Sequence, residues 1–267
     1  MARQTRAPFS AMLEMPNAAR VYDFYLGGNR NFAADREFAR HAMQVMPQIR
    51  DLCIYNRLLG RSLVQHFASQ GIRQFLDIGS GIPTVGNTHE VAQRHAADCR
   101  IVYIDNEPLT VGQGRLLLKG NSNAAIAEAD VRDPDSVLTA AQAGGMLDLD
   151  QPVALLMTAL LHVIPDSDSP HRFVSRYHEA LAPGSLFAYT HLTADHRPDQ
   201  MGQFARLYHD TPTPVVIRTR TEIEALLGGF TPLGGASDGM SWVREQNEIL
   251  GLEHVAQLGY LVVGEKT

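Results

Sequence analysis

The chain has 267 residues, 45% hydrophobic and 19% charged, with a formal net charge of −6. This length buries a sizeable core without metals or disulfides, and an acidic chain lacking a long basic run excludes a broad nucleic-acid-binding face, a local basic patch aside. No apolar run approaches a membrane span, no apolar segment of a secretion signal follows Arg3 and Arg6, and Cys53 and Cys99 fit free thiols, so the expectation is a cytoplasmic globular protein.

Met1–Ser10 reads as a tail. The next sixty residues read as helices: a crowded apolar turn from Val21 to Leu26 stopped at Gly27-Gly28, then Ala33–Val45, then Gln48–Phe67 with apolar positions at three- and four-residue steps. From Arg73 the pattern changes. Short apolar strands at 74–78, 100–104, 124–129, 152–158 and 185–191 alternate with helical segments at 88–97, 108–119, 134–143 and 170–181. Such alternation predicts an α/β fold, a mostly parallel sheet with helices on both faces and right-handed crossovers. Residues 193–214 break the rhythm around a short helix at 201–208 and read as a substrate-side insertion. A helix at 221–227 and strands at 230–233 and 258–264 complete the chain; 234–252 is left unassigned. The predicted organisation is a helical extension or lid over 1–70 and a ligand-binding α/β domain over 71–267.

In open α/β sheets ligands bind beyond the carboxyl ends of the strands. Here the first strand ends in Asp77-Ile78-Gly79-Ser80-Gly81. Glycines let the backbone turn sharply beside a ligand, although a plain tight turn has the same pattern. Asp77 argues against a dinucleotide, whose pyrophosphate it would repel, and Thr84 stands where the third glycine of that pattern belongs. A cationic ligand without phosphate, S-adenosylmethionine, fits better. Asp105, ending the second strand, is placed to accept from ribose hydroxyls. After the third strand, Asp130 is placed to accept from an adenine amine and Val131 to pack on the ring; a turn role is equally open to Asp130.

Asp77-Ile-Gly-Ser-Gly, Tyr103-Ile-Asp105-Asn106 and Ala129-Asp130-Val131-Arg-Asp resemble the successive cofactor motifs of class I methyltransferases. The segments Arg20–Gly28, Asn31–Arg36, Ile72–Gly81, Gly86–Gln93, Val102–Asn106 and Leu181–Ser185 more closely resemble an actinobacterial family of S-adenosylmethionine-dependent methyltransferases. The resemblance implies a Rossmann-like seven-stranded sheet with its last strand antiparallel. It also implies an S-adenosylmethionine site drawing on Asp77, Gly79, Ser80, Gly81, Asp105, Asn106, Asp130 and Val131. In the extension, Tyr22, Asp23, Tyr25 and Asn31 read as a lid over the cofactor, with plain helix docking through buried aromatics as the competing reading.

His162 follows the fourth strand in a segment resembling the Leu-His region of small-molecule O-methyltransferases, where a histidine takes the proton of an acceptor hydroxyl. A structural histidine at a strand end is the competing reading. His191, ending the fifth strand, is expected to face the same cavity. Neither pairs with Asp166 or Asp195 at a metal-diagnostic spacing, so no metal is expected. Either Asn56 or Arg57 is placed to reach the methionine carboxylate, although a solvated helix face is the commoner role for such an arginine; the segment from Arg218 to Glu222 reads as structural, with Thr219 or Thr221 capping a helix. The expected activity is methyl transfer to oxygen or nitrogen of a small molecule. A noncatalytic cofactor-binding protein and non-methyl chemistry with the same cofactor are the alternatives, and a homodimer is left open.

Overall fold

A computed structural model describes residues 13–82, 86–243 and 251–267. The expected tail, Thr84 and part of the unassigned segment lie outside these residues. Three helices come first: α1 (Ala18–Tyr25), α2 (Ala33–Val45) and α3 (Ile49–Ser69). Asn17 caps α1 by accepting from the amides of Ala19 and Arg20, which quiets two of the donors a helix leaves open at its start.

Seven strands follow: β1 (Gln74–Ile78), β2 (Arg100–Asp105), β3 (Ala124–Glu128), β4 (Ala154–Met157), β5 (Leu186–Leu192), β6 (Thr231–Pro232) and β7 (Gly259–Glu265). They form one sheet in the order β3-β2-β1-β4-β5-β7-β6. The pairs from β3 through β5 are parallel, whereas β7 runs antiparallel to both β5 and β6. This is the seven-stranded, mostly parallel arrangement expected, with the last strand reversed. The intervening helices are α4 (Thr88–His95), α5 (Pro108–Leu117), α6 (Pro134–Gln142), α7 (Pro170–Ala180), α8 (Pro198–Tyr208), α9 (Arg220–Glu224) and α10 (Glu253–Ala256).

Strand parity divides the core. Phe75, Ile101, Tyr103, Leu156 and Ala188 share one apolar cluster with Val21 and Tyr25 of α1 and Leu52, Leu63 and Phe67 of α3. Leu76, Val102, Leu155 and Phe187 face the opposite cluster, with Val137 of α6 and Val174 and Tyr177 of α7. The same parity turns Asp77 and Asp105 toward the face that α1–α3 cover.

Some boundaries differ from expectation. The strand expected at 230–233 shrinks to two residues: Pro232 has no N–H to extend the ladder, and Phe230 turns inward against Phe187. The helix expected at 221–227 is α-helical only over Arg220–Glu224 and tightens to a 3₁₀ turn over Ala225–Leu227. In the insertion, α8 begins at Pro198, three residues early, because proline suits the first helical turn. Among the described residues of 234–252, a 3₁₀ turn spans Met240–Trp242. No helix among the described residues is long and apolar enough to cross a membrane.

Candidate functional site

A cavity of about 530 Å³ opens along the carboxyl ends of the strands and beneath α1 and α3, within the roughly 300–1,000 Å³ of small-molecule sites. The sheet order runs it from β3 and β2, across the glycine turn after β1, to the ends of β4, β5 and the start of β7.

The turn after β1 is held from below and from the side. Gly79 and Ser80 donate to the Ile104 carbonyl, and Gly81 donates to Asp105 Oδ2 at 2.9 Å. Gly79 sits at φ +68, and a Cβ there would stand 2.6 Å from Leu160. Only glycine meets both the left-handed backbone and the close approach of the β4 loop.

Asp77 accepts from the Thr88 hydroxyl at 2.6 Å. Burial pushes its carboxyl up to about 6, with Thr88 and Arg57 opposing. Asp105 is 7% exposed and accepts from two backbone amides, Gly81 on Oδ2 and Glu107 on Oδ1 at 2.9 Å. Burial lifts it to about 6 as well, and the two amides pull it back. Each carboxylate oxygen keeps a lone pair for a ligand.

Asn106 reaches Asp130 only at 3.5 Å. Asp130 is clamped instead by Arg132, whose backbone amide and guanidinium both donate to it and which also bonds Asp168. Burial raises the Asp130 carboxyl, but the Arg132 contacts outweigh it and leave the carboxyl below its usual range. Val131 is buried in the wall, its carbonyl fixed by the Tyr177 hydroxyl at 3.0 Å.

The extension supplies the roof. Tyr22 lines the cavity; its hydroxyl donates to the Cys53 carbonyl and accepts from Asn56, and burial raises its pKa. Asn31 stands outside the lining. Its amide donates to Asp23 Oδ2 and the Gly28 carbonyl, so it braces the cavity residue Asp23 from behind. A buried ion network anchors this roof: Arg20, 2% exposed, bonds Asp35 at 2.8 Å and Glu107 at 3.0 Å.

Asn56 and Arg57 both line the cavity but differ in what remains of them. Asn56 accepts from Thr190 at 2.6 Å and donates to Tyr22. Arg57 lies 5.9 Å from the Tyr22 ring centre, and its buried Nε has no hydrogen-bond partner among the described residues. A buried, unspent guanidinium donor calls for an anionic or carbonyl partner.

His162 and His191 are neighbours, ring centres 5.8 Å apart and nearly perpendicular. Their chemistry separates them. His191 is 1% exposed, with Nδ1 against the Leu192 carbonyl at 2.7 Å and Nε2 against an Arg218 N–H at 2.7 Å. Both ring nitrogens are spent, so its part is structural. His162 Nδ1 is buried and unpartnered. Burial, then the positive charge of Arg218, lowers its pKa to about 4, which keeps the imidazole neutral, a hydrogen-bond acceptor of weak basicity.

Arg218 carries no sequence signal of a site residue, lying in a segment whose pattern marks only a helix start. It is 3% exposed and donates to the carbonyls of Leu161 and Ile164, to Asp166 and to His191. It therefore ties the loop carrying His162 to the end of β5. Thr219 rather than Thr221 caps α9, in a reciprocal box with Glu222. Beside this loop, Ala159 takes φ +54, a conformation uncommon outside glycine, and its amide donates to Thr190. No group of three or more His, Cys, Asp or Glu that could hold a metal occurs among the described residues.

Residues 5–266 match the family described as S-adenosyl methyltransferase. A crystal structure of a DUF574 family protein from Streptomyces avermitilis is 34% identical, with a TM-score of 0.90 over 96% of this chain and 99% of that one. A candidate methyltransferase from Thermobifida fusca is 36% identical, with a TM-score of 0.88 over 99% and 100%. Human N-acetylserotonin methyltransferase, solved in complex with S-adenosylmethionine, is 17% identical with a TM-score of 0.51 over 82% of this chain and 56% of that one, a likeness of fold alone. No curated protein matches the chain significantly.

Proposed function

The chain belongs to the S-adenosyl methyltransferase family and is an S-adenosylmethionine-dependent methyltransferase, and we propose that it methylates an oxygen or nitrogen of a small molecule held at the β4–β5 end of the cavity. One observation carries the reading: a single cavity runs from the glycine turn to His162, and Phe204 and Tyr208 of α8 line it.

The residues present fit the cofactor. The cationic ammonium finds a carboxylate at Asp77, and the unspent Arg57 guanidinium matches the methionine carboxylate. Asp105 offers its remaining lone pairs to ribose hydroxyls. Val131 packs against adenine, and Asp130 and Asn106 offer polar atoms at its edge. Gly79, Ser80 and Gly81 allow close backbone approach, and Tyr22 closes the roof. Asn31 acts through Asp23 in this reading, because its own amide is occupied there. The bound cofactor supplies an electrophilic methyl group on a sulfonium. His162 would accept a hydrogen bond from the acceptor hydroxyl or amine, orient its lone pair toward that methyl, and take the proton as the new bond to oxygen or nitrogen forms and the sulfur leaves with its electron pair.

Calorimetry with S-adenosylmethionine, its demethylated product and NAD tests the site. Binding of the first two is expected; NAD binding without them overturns the assignment. A screen of metabolite extracts with labelled cofactor then identifies the acceptor. Label appearing only in macromolecules contradicts the small-molecule reading.

A further inference from the structure

We infer that the acceptor is a flat, uncharged, ring-bearing molecule with one hydroxyl or amine, enclosed in an aromatic chamber between α1, α3 and α8; this rests on the methyl-transfer reading above. Beyond Arg57, the cavity wall is built by Tyr25, Leu52, Leu192, Phe204, Tyr208 and Leu261. All six are buried from bulk solvent, from 1% to 8% exposed. The Phe204 and Tyr208 rings lie 5.0 Å apart and tilted, and Phe38 backs Tyr208 edge-on at 4.8 Å. Such walls favour flat apolar surface, since aromatic contacts add to simple burial.

The chamber offers little to a charge. Two charged groups line this side: Asp238, whose carboxylate already accepts the Met240 amide and whose carbonyl accepts the Tyr55 hydroxyl, and Asp23 of α1, whose Oδ2 takes the Arg30 and Asn31 amides and whose carboxylate lies against Gly28. The Tyr25, Tyr208 and Cys53 protons are all held tightly, burial raising each pKa. An anion entering here meets no cation once Arg57 is taken by the cofactor, and an unpaired buried ion is costly. Two buried oxygens of α1 lack a hydrogen-bond partner among the described residues, Asp23 Oδ1, which lies against Gly28, and the Tyr25 hydroxyl, which stands on the aromatic wall. The Tyr25 hydroxyl is buried and meets no partner in hydrogen-bond geometry, although the Tyr208 phenol is near enough to couple to it. It is placed to bond the single polar group of an otherwise apolar occupant.

The whole protein, saturated with S-adenosylhomocysteine, is titrated with 2-naphthol, 2-naphthoate and 2-naphthylmethylammonium. Naphthol is expected to bind at least tenfold more tightly than either ion. Phe204→Ala should weaken naphthol about tenfold or more. Tyr25→Phe, which removes only the hydroxyl, should weaken naphthol roughly threefold to tenfold and leave naphthalene unchanged. Equal or tighter binding of an ion, no binding of naphthol to the loaded enzyme, or indifference to both substitutions overturns the inference. Failure of S-adenosylhomocysteine itself to bind defeats the cofactor reading and the inference with it, and is read independently in the first titration.

Discussion

Asp105 Oδ2 accepts the Gly81 amide at 2.9 Å, so the acid ending β2 holds the shape of the turn that ends β1. The same carboxylate is proposed to hold the ribose. Asp105→Ala is therefore expected to act twice: affinity for S-adenosylmethionine falls at least tenfold, since charge-assisted hydrogen bonds contribute roughly 1.5–3 kcal/mol each, and the unliganded protein melts lower. Calorimetry and thermal unfolding read the two effects. Unchanged affinity in the folded variant removes Asp105 from the ribose site.

Asp77 and Asp105 both titrate near 6 in the folded chain through burial. A carboxyl raised above its unfolded value near 3.9 stabilises the fold at low pH, and that contribution disappears as pH climbs from about 4 to about 6. Binding of the cationic cofactor runs the other way, because it needs the ionised acid. Affinity is expected to drop between pH 7.5 and 5, approaching about tenfold per pH unit below the pKa if one group is obligatory. Asp77→Asn should flatten that slope; a persisting slope assigns it elsewhere.

Arg57→Met is expected to weaken S-adenosylmethionine roughly tenfold to a hundredfold, the worth of a hydrogen bond to a charged group. Methylthioadenosine, which lacks the amino-acid end, should bind the variant as it binds the parent. Parallel losses for both ligands would show that Arg57 serves the fold.

His162→Ala is expected to lower turnover of a hydroxyl acceptor by roughly 10²–10⁴ while cofactor affinity survives. With its pKa held near 4, His162 is neutral at all ordinary pH values. Its protonation should therefore produce no loss of rate between pH 8 and 6; activity lost to it belongs near pH 4. A fall centred near 6.5 that vanishes in the variant contradicts the depressed pKa.

Arg218 and Asp166 form a lopsided pair, their side chains 4% and 78% exposed. Removing the buried member leaves His191 and two carbonyls without their donor, so Arg218→Met should cost roughly 3–5 kcal/mol of stability. Asp166→Ala should cost about 1 kcal/mol or less. Denaturant unfolding distinguishes them, and equal small losses would deny Arg218 its tying role.

The strand-helix rhythm was legible because it is written in neighbours: apolar runs such as 74–78, prolines opening α5, α6 and α7, and the glycine turn after Asp77. The acids at strand ends were legible for the same reason. What decides between the two histidines was not. His191 is spent on Arg218, 27 residues away, and no local pattern announces a guanidinium that reaches three carbonyl or carboxylate groups across two loops. Nor does local sequence show that Asn31 is turned to Asp23, or that Arg57 keeps an unpaired donor while Asn56 is held between Thr190 and Tyr22. These are matters of which partners the fold happens to bring near, and they become visible only when hydrogen bonds are accounted atom by atom.

The cavity is walled by residues from Asn17 to Leu261. On the ribosome the roof helix emerges before any strand of the floor, and Arg20 meets Asp35, 15 residues on, before Glu107, 87 residues on. The apolar face of α1 therefore stays uncovered until the strands it packs on have been made, an interval in which such surface invites chaperones. Ligand capture needs walls drawn from α1 through β7, so cofactor binding reports an assembled cavity and not a partly folded one.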